Sequence, residues 1–341
     1  MKILIVASGF VQQSRRPIEI LEEAGFTVER REYGLAGLNQ DEEEFCRIIK
    51  GADAVVVTGM DKVTRRVIAG ADRLKMIAIR SSGFEGTDLA AATEHGVVVT
   101  HNPGANKEPV ADLAVGMMVA VARKIPWMDR GMREGKYNEI RPQAKDIFQK
   151  TLGIIGLGRI GKTVARRVKG FDMKVVYHDI VAYEDFAREH GVRKAPLEEL
   201  LQEADVITLH VPLDETTRKM IGRKEIRRMK ADAILINTCR GPVVDEEALL
   251  EALKSGHLYG YGTDVYTREP PESLELVRLP NVISTPHVGG ITEGGLMGLA
   301  MATVTKIVQY LKQGEVPENV LNPEVLQKAA ARLPKDVPAS I

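Results

Sequence analysis

Leu152-Gly153-Ile154-Ile155-Gly156-Leu157-Gly158-Arg159-Ile160-Gly161 runs from an apolar, β-rich segment straight into a glycine turn, and a helix-patterned run over 160–169 follows. Strand, tight turn and helix in that order open a doubly wound α/β unit. Each glycine has its own reason to be there. Gly156 permits the tight turn, Gly158 lets backbone approach a bound pyrophosphate, and Gly161 lets helix and strand pack closely. The start of the helix adds free N–H groups and the positive end of a dipole, both of which favour phosphate. A glycine turn alone is common, so its surroundings decide. The next β-rich segment, 174–178, ends in Asp179, about 20 residues on, where a carboxylate accepts hydrogen bonds from ribose hydroxyls. An acid there repels a 2′-phosphate, and Ile180-Val181-Ala182-Tyr183 brings no cation to offset it, which favours NAD over NADP.

The same strand–helix alternation extends in both directions. Downstream, strands are expected over 152–155, 174–178, 206–210, 234–237, 260–264 and 282–284. Upstream they are expected over 3–7, 28–31, 54–58, 76–80 and 97–100, separated by helical spacing over 17–24, 42–49, 64–69 and 88–95. Alternation of this kind implies two parallel sheets, each covered on both faces. Pro103-Gly104 separates the two series. After it, 108–123 is apolar nearly all the way round and should be buried, between domains or in a subunit interface, ending before Pro126. The stretch 127–150 has weak periodicity and reads as an exposed arm; a helix over 293–312 precedes a proline-spotted tail.

Composition narrows the class. The 341 residues suffice for two domains, and 44% hydrophobic with 28% charged residues fits a folded globular protein. Lysine plus arginine equals aspartate plus glutamate at 47 each, which argues against a nucleic-acid-binding surface. Cys46 and Cys239 are the two cysteines, so neither a disulfide framework nor a metal cluster is expected. The apolar start at Met1 is too short for a signal-peptide core, and the apolar stretch 113–122 falls far short of the ~20 residues that span a bilayer. A cytoplasmic protein without a membrane partner is the expectation.

Three later segments supply chemistry. Arg240, in Cys239-Arg240-Gly241-Pro242, follows the strand 234–237 and so lies at the carboxyl edge of a sheet, where open α/β folds bind ligands. A guanidinium matches a carboxylate bidentately and keeps its charge at any working pH. His287, in Thr285-Pro286-His287-Val288-Gly289-Gly290, follows a strand at the same edge. Glu269, in the proline-flanked loop after Asp264, is its natural partner: a carboxylate favours the imidazolium, which can then donate to a carbonyl oxygen. A cation, an acid and an imidazole beside a nicotinamide are what hydride transfer to a 2-keto acid requires.

With these segments in view, the chain resembles the D-isomer-specific 2-hydroxyacid dehydrogenases. The likeness covers nearly the whole length: His101-Asn102-Pro103-Gly104-Ala105-Asn106, the 152–161 turn, His210-Val211-Pro212-Leu213, Asn237-Thr238-Cys239-Arg240-Gly241, Val244-Asp245, 264–270 and Pro286-His287 with its two glycines. It implies a Rossmann NAD domain over 102–288 and a discontinuous, flavodoxin-like substrate domain made of 1–101 and 289–341. It also implies that Arg240 anchors the substrate carboxylate, that His287 is the general acid/base and that Glu269 orients it. Ser82 and Gly83 would supply a second carboxylate-binding element through their amides. Asp264 would lie near the nicotinamide carboxamide, and the cofactor would meet Gly156, Gly158, Arg159, Ile160, Gly161, Asp179, Val211, Pro212, Thr217, Thr238, Cys239, Asp264, His287 and Gly289. A homodimer through the NAD domain, involving the apolar helix after Pro109, is a further implication.

Two departures bear on the substrate. Many relatives carry Asp-Asn where this chain has Glu85-Gly86, and phosphoglycerate dehydrogenases place an arginine where it reads Thr58-Gly59-Met60-Asp61. Without that cation the expectation is a small unphosphorylated 2-keto acid such as glyoxylate or hydroxypyruvate. The alternatives are 3-phosphoglycerate, phosphite, or a non-catalytic NAD-sensing role on the same fold.

Overall fold

The computed structural model describes residues 1–10, 14–31 and 41–326. They fall into two units, Met1–Asn106 with Ile291–Ile341, and Lys107–Gly290. The proline-spotted tail lies, from 327 on, outside the described residues.

In the first unit, β1 (Lys2–Ile5), β2 (Thr27–Arg30), β3 (Ala54–Val57), β4 (Met76–Ile79) and β5 (Val98–Thr100) pair in parallel in the order β2-β1-β3-β4-β5. This is the flavodoxin-like order of a doubly wound sheet. Strands β3 and β4 are buried at every residue, as a sheet covered on both faces demands. Alternation splits the core in two. Ile3, Ile5, Ala54 and Val56 meet Ala300, Val304 and Ile307 of the helix Glu293–Val308, while Leu4, Val55 and Val57 pack on Phe45, Val67 and Ala91. One face of this sheet is therefore closed by a helix from the far end of the chain.

In the second unit, β6 (Thr151–Ile155), β7 (Lys174–His178), β8 (Arg193–Lys194), β9 (Val206–Leu209), β10 (Ala233–Asn237), β11 (Leu258–Thr263) and β12 (Val282–Ser284) form one parallel sheet, ordered β12-β11-β10-β9-β6-β7-β8. The strand order reverses between β6 and β9, and the crevice at the carboxyl ends of those strands is where such sheets bind nucleotides.

Both units pin the opposite, amino-terminal strand ends in one way. Asp53 stands just before β3, accepts from the Lys2 amide at 2.8 Å and pairs with Arg73 and Lys75 at 3.1 and 3.2 Å. Asp205 stands just before β9, accepts from the Thr151 amide at 2.8 Å and pairs with Lys230 at 2.9 Å. Burial opposes each charge, yet the amide and the cations outweigh it and hold both carboxyls below the usual range.

Two expectations need correction. The second sheet has seven strands, not six, because the two exposed residues of β8 add an edge strand too short and too polar to show a period. The stretch read as an arm begins with the helix Ile125–Arg133. The apolar helix, Lys107–Ala122, buries one face inside its own unit, where Ala111, Ala114, Met117 and Met118 pack on Ile154, Val164, Ile234 and Ile236.

Candidate active site

At the end of β6 the chain turns at Gly156, whose φ of +94° is costly for a side-chain-bearing residue; a Cβ there would lie 2.5 Å from the His210 carbonyl oxygen. The loops after β6 and β9 thus touch backbone to backbone. A Cβ on Gly161 would collide with the Gly156 carbonyl, so this glycine lets the helix Arg159–Arg167 sit down on the turn. Gly158 differs, because a Cβ there would meet nothing within 4 Å. The protein itself has no need of a glycine at that point, whereas a close-lying pyrophosphate does. Gly158 also caps the helix without a side-chain bond, which leaves the first-turn amides to a ligand.

Asp179 grips this turn. One oxygen accepts from the Leu157 amide at 2.7 Å and the other from the Val181 amide at 2.9 Å, leaving lone pairs for a ribose. Across the crevice, Thr217 Oγ1 donates to the Pro212 carbonyl at 2.7 Å and accepts from the Asp214 amide at 2.9 Å, which shapes the loop after Val211. The Thr238 hydroxyl is buried and has no partner among the described residues, an unmet bond that a polar ligand would satisfy. His210, partly buried, is held neutral by its surroundings, with its pKa pushed down to about 3.

The three chemical groups stand at the neighbouring strand ends. Asn237, the last residue of β10, wraps the next turn with its side chain: Oδ1 accepts from the Cys239 amide at 3.1 Å and Nδ2 donates to the Arg240 carbonyl at 3.0 Å. Arg240 Nη1 donates to the Cys239 carbonyl at 2.7 Å. Burial pushes the Cys239 thiol up to about 11, so it remains protonated and unreactive. A Cβ on Gly241 would collide with the Tyr266 carbonyl, so only glycine lets the arginine turn lie against the Tyr266–Glu269 loop.

In that loop the Tyr266 amide donates to Glu269 Oε1 at 3.1 Å, and Glu269 Oε2 lies 2.5 Å from His287 Nδ1. His287 has a φ of 53°, an uncommon conformation for a non-glycine residue and one that surrounding bonds must maintain. Asp264, 2% exposed, supplies them: Oδ1 accepts from Thr285 Oγ1 at 2.6 Å and the Val288 amide at 2.8 Å, and Oδ2 accepts from the Gly289 amide at 2.7 Å. Tyr266 Oη adds a bond to the Thr285 carbonyl at 2.8 Å.

Electrostatics agree with the geometry. The bond to Glu269 raises the His287 pKa against burial and against the nearby Arg240 charge. Burial works against the Glu269 charge, but His287, the Tyr266 amide and Arg240 together bring its pKa below the ordinary value. The Arg240 charge lowers the pKa of both partners. With Nδ1 on Glu269, Nε2 of His287 has no partner among the described residues.

Ser82 and Gly83 belong to the first unit, in the loop after β4. Ser82 Oγ donates to the Asn102 carbonyl and to Asn106 Oδ1, both at 3.1 Å, while the Ser82 and Gly83 amides donate to no described residue. The loop after β3 lies against it, for a Cβ on Gly59 would collide with the Gly83 carbonyl and the Gly59 amide donates to Ser81 Oγ at 2.7 Å. In that neighbouring loop Asp61 accepts from the Thr58 amide at 2.7 Å and the Thr58 hydroxyl at 2.9 Å, and burial raises its pKa. Sequence reading missed the parts played by Asn237, Tyr266 and Thr285, and the clasp that Asp264 places on the histidine loop.

Comparison with known proteins matches residues 115–289 to the family model described as "D-isomer specific 2-hydroxyacid dehydrogenase, NAD binding domain". The chain is 41% identical over 284 residues to the glyoxylate reductase of Korarchaeum cryptofilum, covering 82% of this chain and 85% of that protein. It is also 41% identical over 319 residues to the D-3-phosphoglycerate dehydrogenase of Methanocaldococcus jannaschii, covering 93% of this chain but 59% of that longer protein. Among solved structures, D-lactate dehydrogenase from Aquifex aeolicus complexed with NAD and lactic acid superimposes with a TM-score of 0.80 at 29% identity, over 94% of this chain and 99% of that one.

Proposed function

The chain belongs to the D-isomer specific 2-hydroxyacid dehydrogenase family and is an NAD-dependent oxidoreductase, and we propose that it interconverts a small unphosphorylated 2-keto acid, glyoxylate or hydroxypyruvate, with its D-2-hydroxy acid. The observation that carries this reading is the 2.5 Å bond from Glu269 to His287 Nδ1, which leaves Nε2 for a substrate. Bound NADH supplies a hydride for the keto carbon. His287 gives the Nε2 proton to the keto oxygen and takes it back in the reverse direction. Glu269 keeps the ring charged and oriented. Arg240 holds the substrate carboxylate and polarises the carbonyl. The unit made of Met1–Asn106 and Ile291–Ile341 is the substrate-binding domain, and the Ser82 and Gly83 amides are its carboxylate donors.

The turn of Gly156, Gly158, Arg159, Ile160 and Gly161 would hold the cofactor's phosphates, and Asp179 its adenosine ribose. Val211, Pro212, Thr217, Thr238, Cys239, Asp264, His287 and Gly289 would face the remainder. The open space at Gly158 and the unpartnered Thr238 hydroxyl support this placement. Asp61 supports an unphosphorylated substrate, since it stands in the Thr58–Asp61 segment where, by the resemblance, phosphoglycerate dehydrogenases place an arginine. We further infer a cytoplasmic homodimer formed through the NAD-binding unit. Ile125, Trp127, Met132, Tyr137 and Phe148 leave apolar surface exposed on that unit.

A panel of glyoxylate, hydroxypyruvate, pyruvate and 3-phosphohydroxypyruvate with NADH or NADPH, followed at the nicotinamide absorbance, tests the reading. The highest kcat/KM should belong to glyoxylate or hydroxypyruvate with NADH. A preference for the phosphorylated substrate would replace the substrate assignment, and NADH binding without turnover of any of them would favour a sensing role.

A further inference from the structure

Asn102 is 3% exposed at the exit of β5, and it grips four consecutive residues at the exit of β4. Its side-chain Nδ2 donates to the Ile79 and Arg80 carbonyls at 3.0 and 3.2 Å. Its amide donates to the Ser81 carbonyl at 3.0 Å, and its own carbonyl accepts from Ser82 Oγ at 3.1 Å. His101 adds a bond between Nδ1 and the Ser82 carbonyl at 2.8 Å. Asn102 thus makes four of the bonds that hold the loop of Ser82 and Gly83.

An asparagine amide has nearly the same shape when its oxygen and nitrogen exchange places, so something must fix which end faces which carbonyl. The helix Glu293–Val308 does so with two side chains. Lys306 Nζ donates to Asn102 Oδ1 at 2.8 Å and also to the His101 carbonyl. Thr303 Oγ1 accepts from Asn102 Nδ2 at 2.9 Å, its own proton being given to the Leu299 carbonyl at 2.7 Å. An ammonium only donates, so Oδ1 must face Lys306 and Nδ2 must face the β4 carbonyls.

Lys306 is 8% exposed, and an ammonium so placed costs stability that an apolar side chain on the same helix face would not. Burial lowers its pKa to about 8, with Glu318 the charged group that opposes the shift.

We propose that Lys306 is a positioning residue for the reaction: by fixing the Asn102 amide it sets the loop whose Ser82 and Gly83 amides receive the substrate carboxylate. This role rests on the reading of that loop as a carboxylate site. It acts on the keto acid and not on the cofactor, whose phosphate turn lies in the other unit.

The test compares the full-length protein with Lys306→Met and Lys306→Gln, measuring kcat and KM for glyoxylate, the Kd of NADH, and hydrogen exchange over 79–86 in the NADH complex with and without oxamate, a keto-acid mimic that cannot be reduced. In the wild type, oxamate should slow exchange over 79–86. Lys306→Met should lose that protection and raise KM about tenfold, with kcat changed less than about threefold and the Kd of NADH unaltered. Lys306→Gln, which keeps an N–H donor without the charge, should recover part of the KM and also serves if the methionine variant folds poorly. Protection and KM in Lys306→Met equal to wild type would remove Lys306 from this role, as would a glutamine variant no better than methionine. No protection by oxamate in the wild type would instead remove the carboxylate reading of Ser82 and Gly83, and the role of Lys306 with it.

Discussion

Glu269 and His287 share a 2.5 Å bond between Oε2 and Nδ1, and each shifts the other's pKa towards the ionised form. The histidine's proton is thereby held above its ordinary pKa of 6.5 and the carboxyl below its ordinary 4.5. The stability due to the raised histidine is complete below 6.5 and is lost as pH rises through the folded-state value. That due to the depressed carboxyl is present above 4.5 and is lost as pH falls through its lowered value. The pair therefore stabilises the fold most across the window between the two.

In the proposed mechanism reduction requires the imidazolium, so its rate should fall as pH rises through the raised pKa of His287. Glu269→Gln removes the charge that raises it. The alkaline limb of kcat should move to lower pH, and turnover at neutral pH should drop about tenfold or more. An unmoved limb in this variant would mean that Glu269 does not tune the histidine.

His287→Asn removes the proposed proton donor but leaves the phosphate turn intact. Turnover should fall about 10²–10⁴-fold with the Kd of NADH nearly unchanged. Wild-type turnover would place the acid elsewhere.

Arg240→Lys keeps a positive charge but loses the planar fork. KM for the keto acid should rise and kcat/KM fall about tenfold or more, because an ammonium cannot bind a carboxylate bidentately. A variant indistinguishable from wild type would show that the carboxylate is held by other groups.

The two glycines of the phosphate turn should respond differently. Gly161→Ala forces a Cβ onto the Gly156 carbonyl and should lower stability by about 1–3 kcal/mol. Gly158→Ala meets only open space, so its melting temperature should match wild type while NADH affinity falls. Undiminished NADH binding by Gly158→Ala would deny that the pyrophosphate passes there.

Asp179→Ala removes both the expected ribose contact and the bond to the Leu157 amide. NADH should bind about tenfold more weakly, and discrimination against NADPH should narrow. Titration of both cofactors by fluorescence checks this, and unchanged discrimination would remove Asp179 as the selector.

Most strands of both sheets were legible in the sequence because they are short valine- and isoleucine-rich runs with glycine or proline soon after, as at Ala54–Val57 and Val206–Leu209. The edge strand at Arg193–Lys194 was not, since two exposed charged residues carry no period. The helix Ile125–Arg133 was hidden by Pro126, which reads as the stop of the preceding helix yet sits in the first turn of this one, where its missing N–H costs nothing. Arg240, Glu269 and His287 stood out because prolines and glycines mark their loops. The clasp of Asp264 on the Val288 and Gly289 amides could not be read, because a side chain bonded to backbone N–H groups leaves no pattern in the partner's sequence. The Lys306–Asn102 pair was equally silent, its members being separated by 204 positions.

Because the first unit borrows Ala300, Val304 and Ile307 for one face of its sheet, order of synthesis matters. On the ribosome, residues 107–290 are contiguous and can close on themselves as soon as they emerge. The first hundred residues must wait, with one face of their sheet incompletely covered, until residues 300–307 have been made. A nascent protein stalled before Leu299 should therefore carry a finished nucleotide unit beside a sticky, half-roofed sheet, and that sheet is where chaperones should bind.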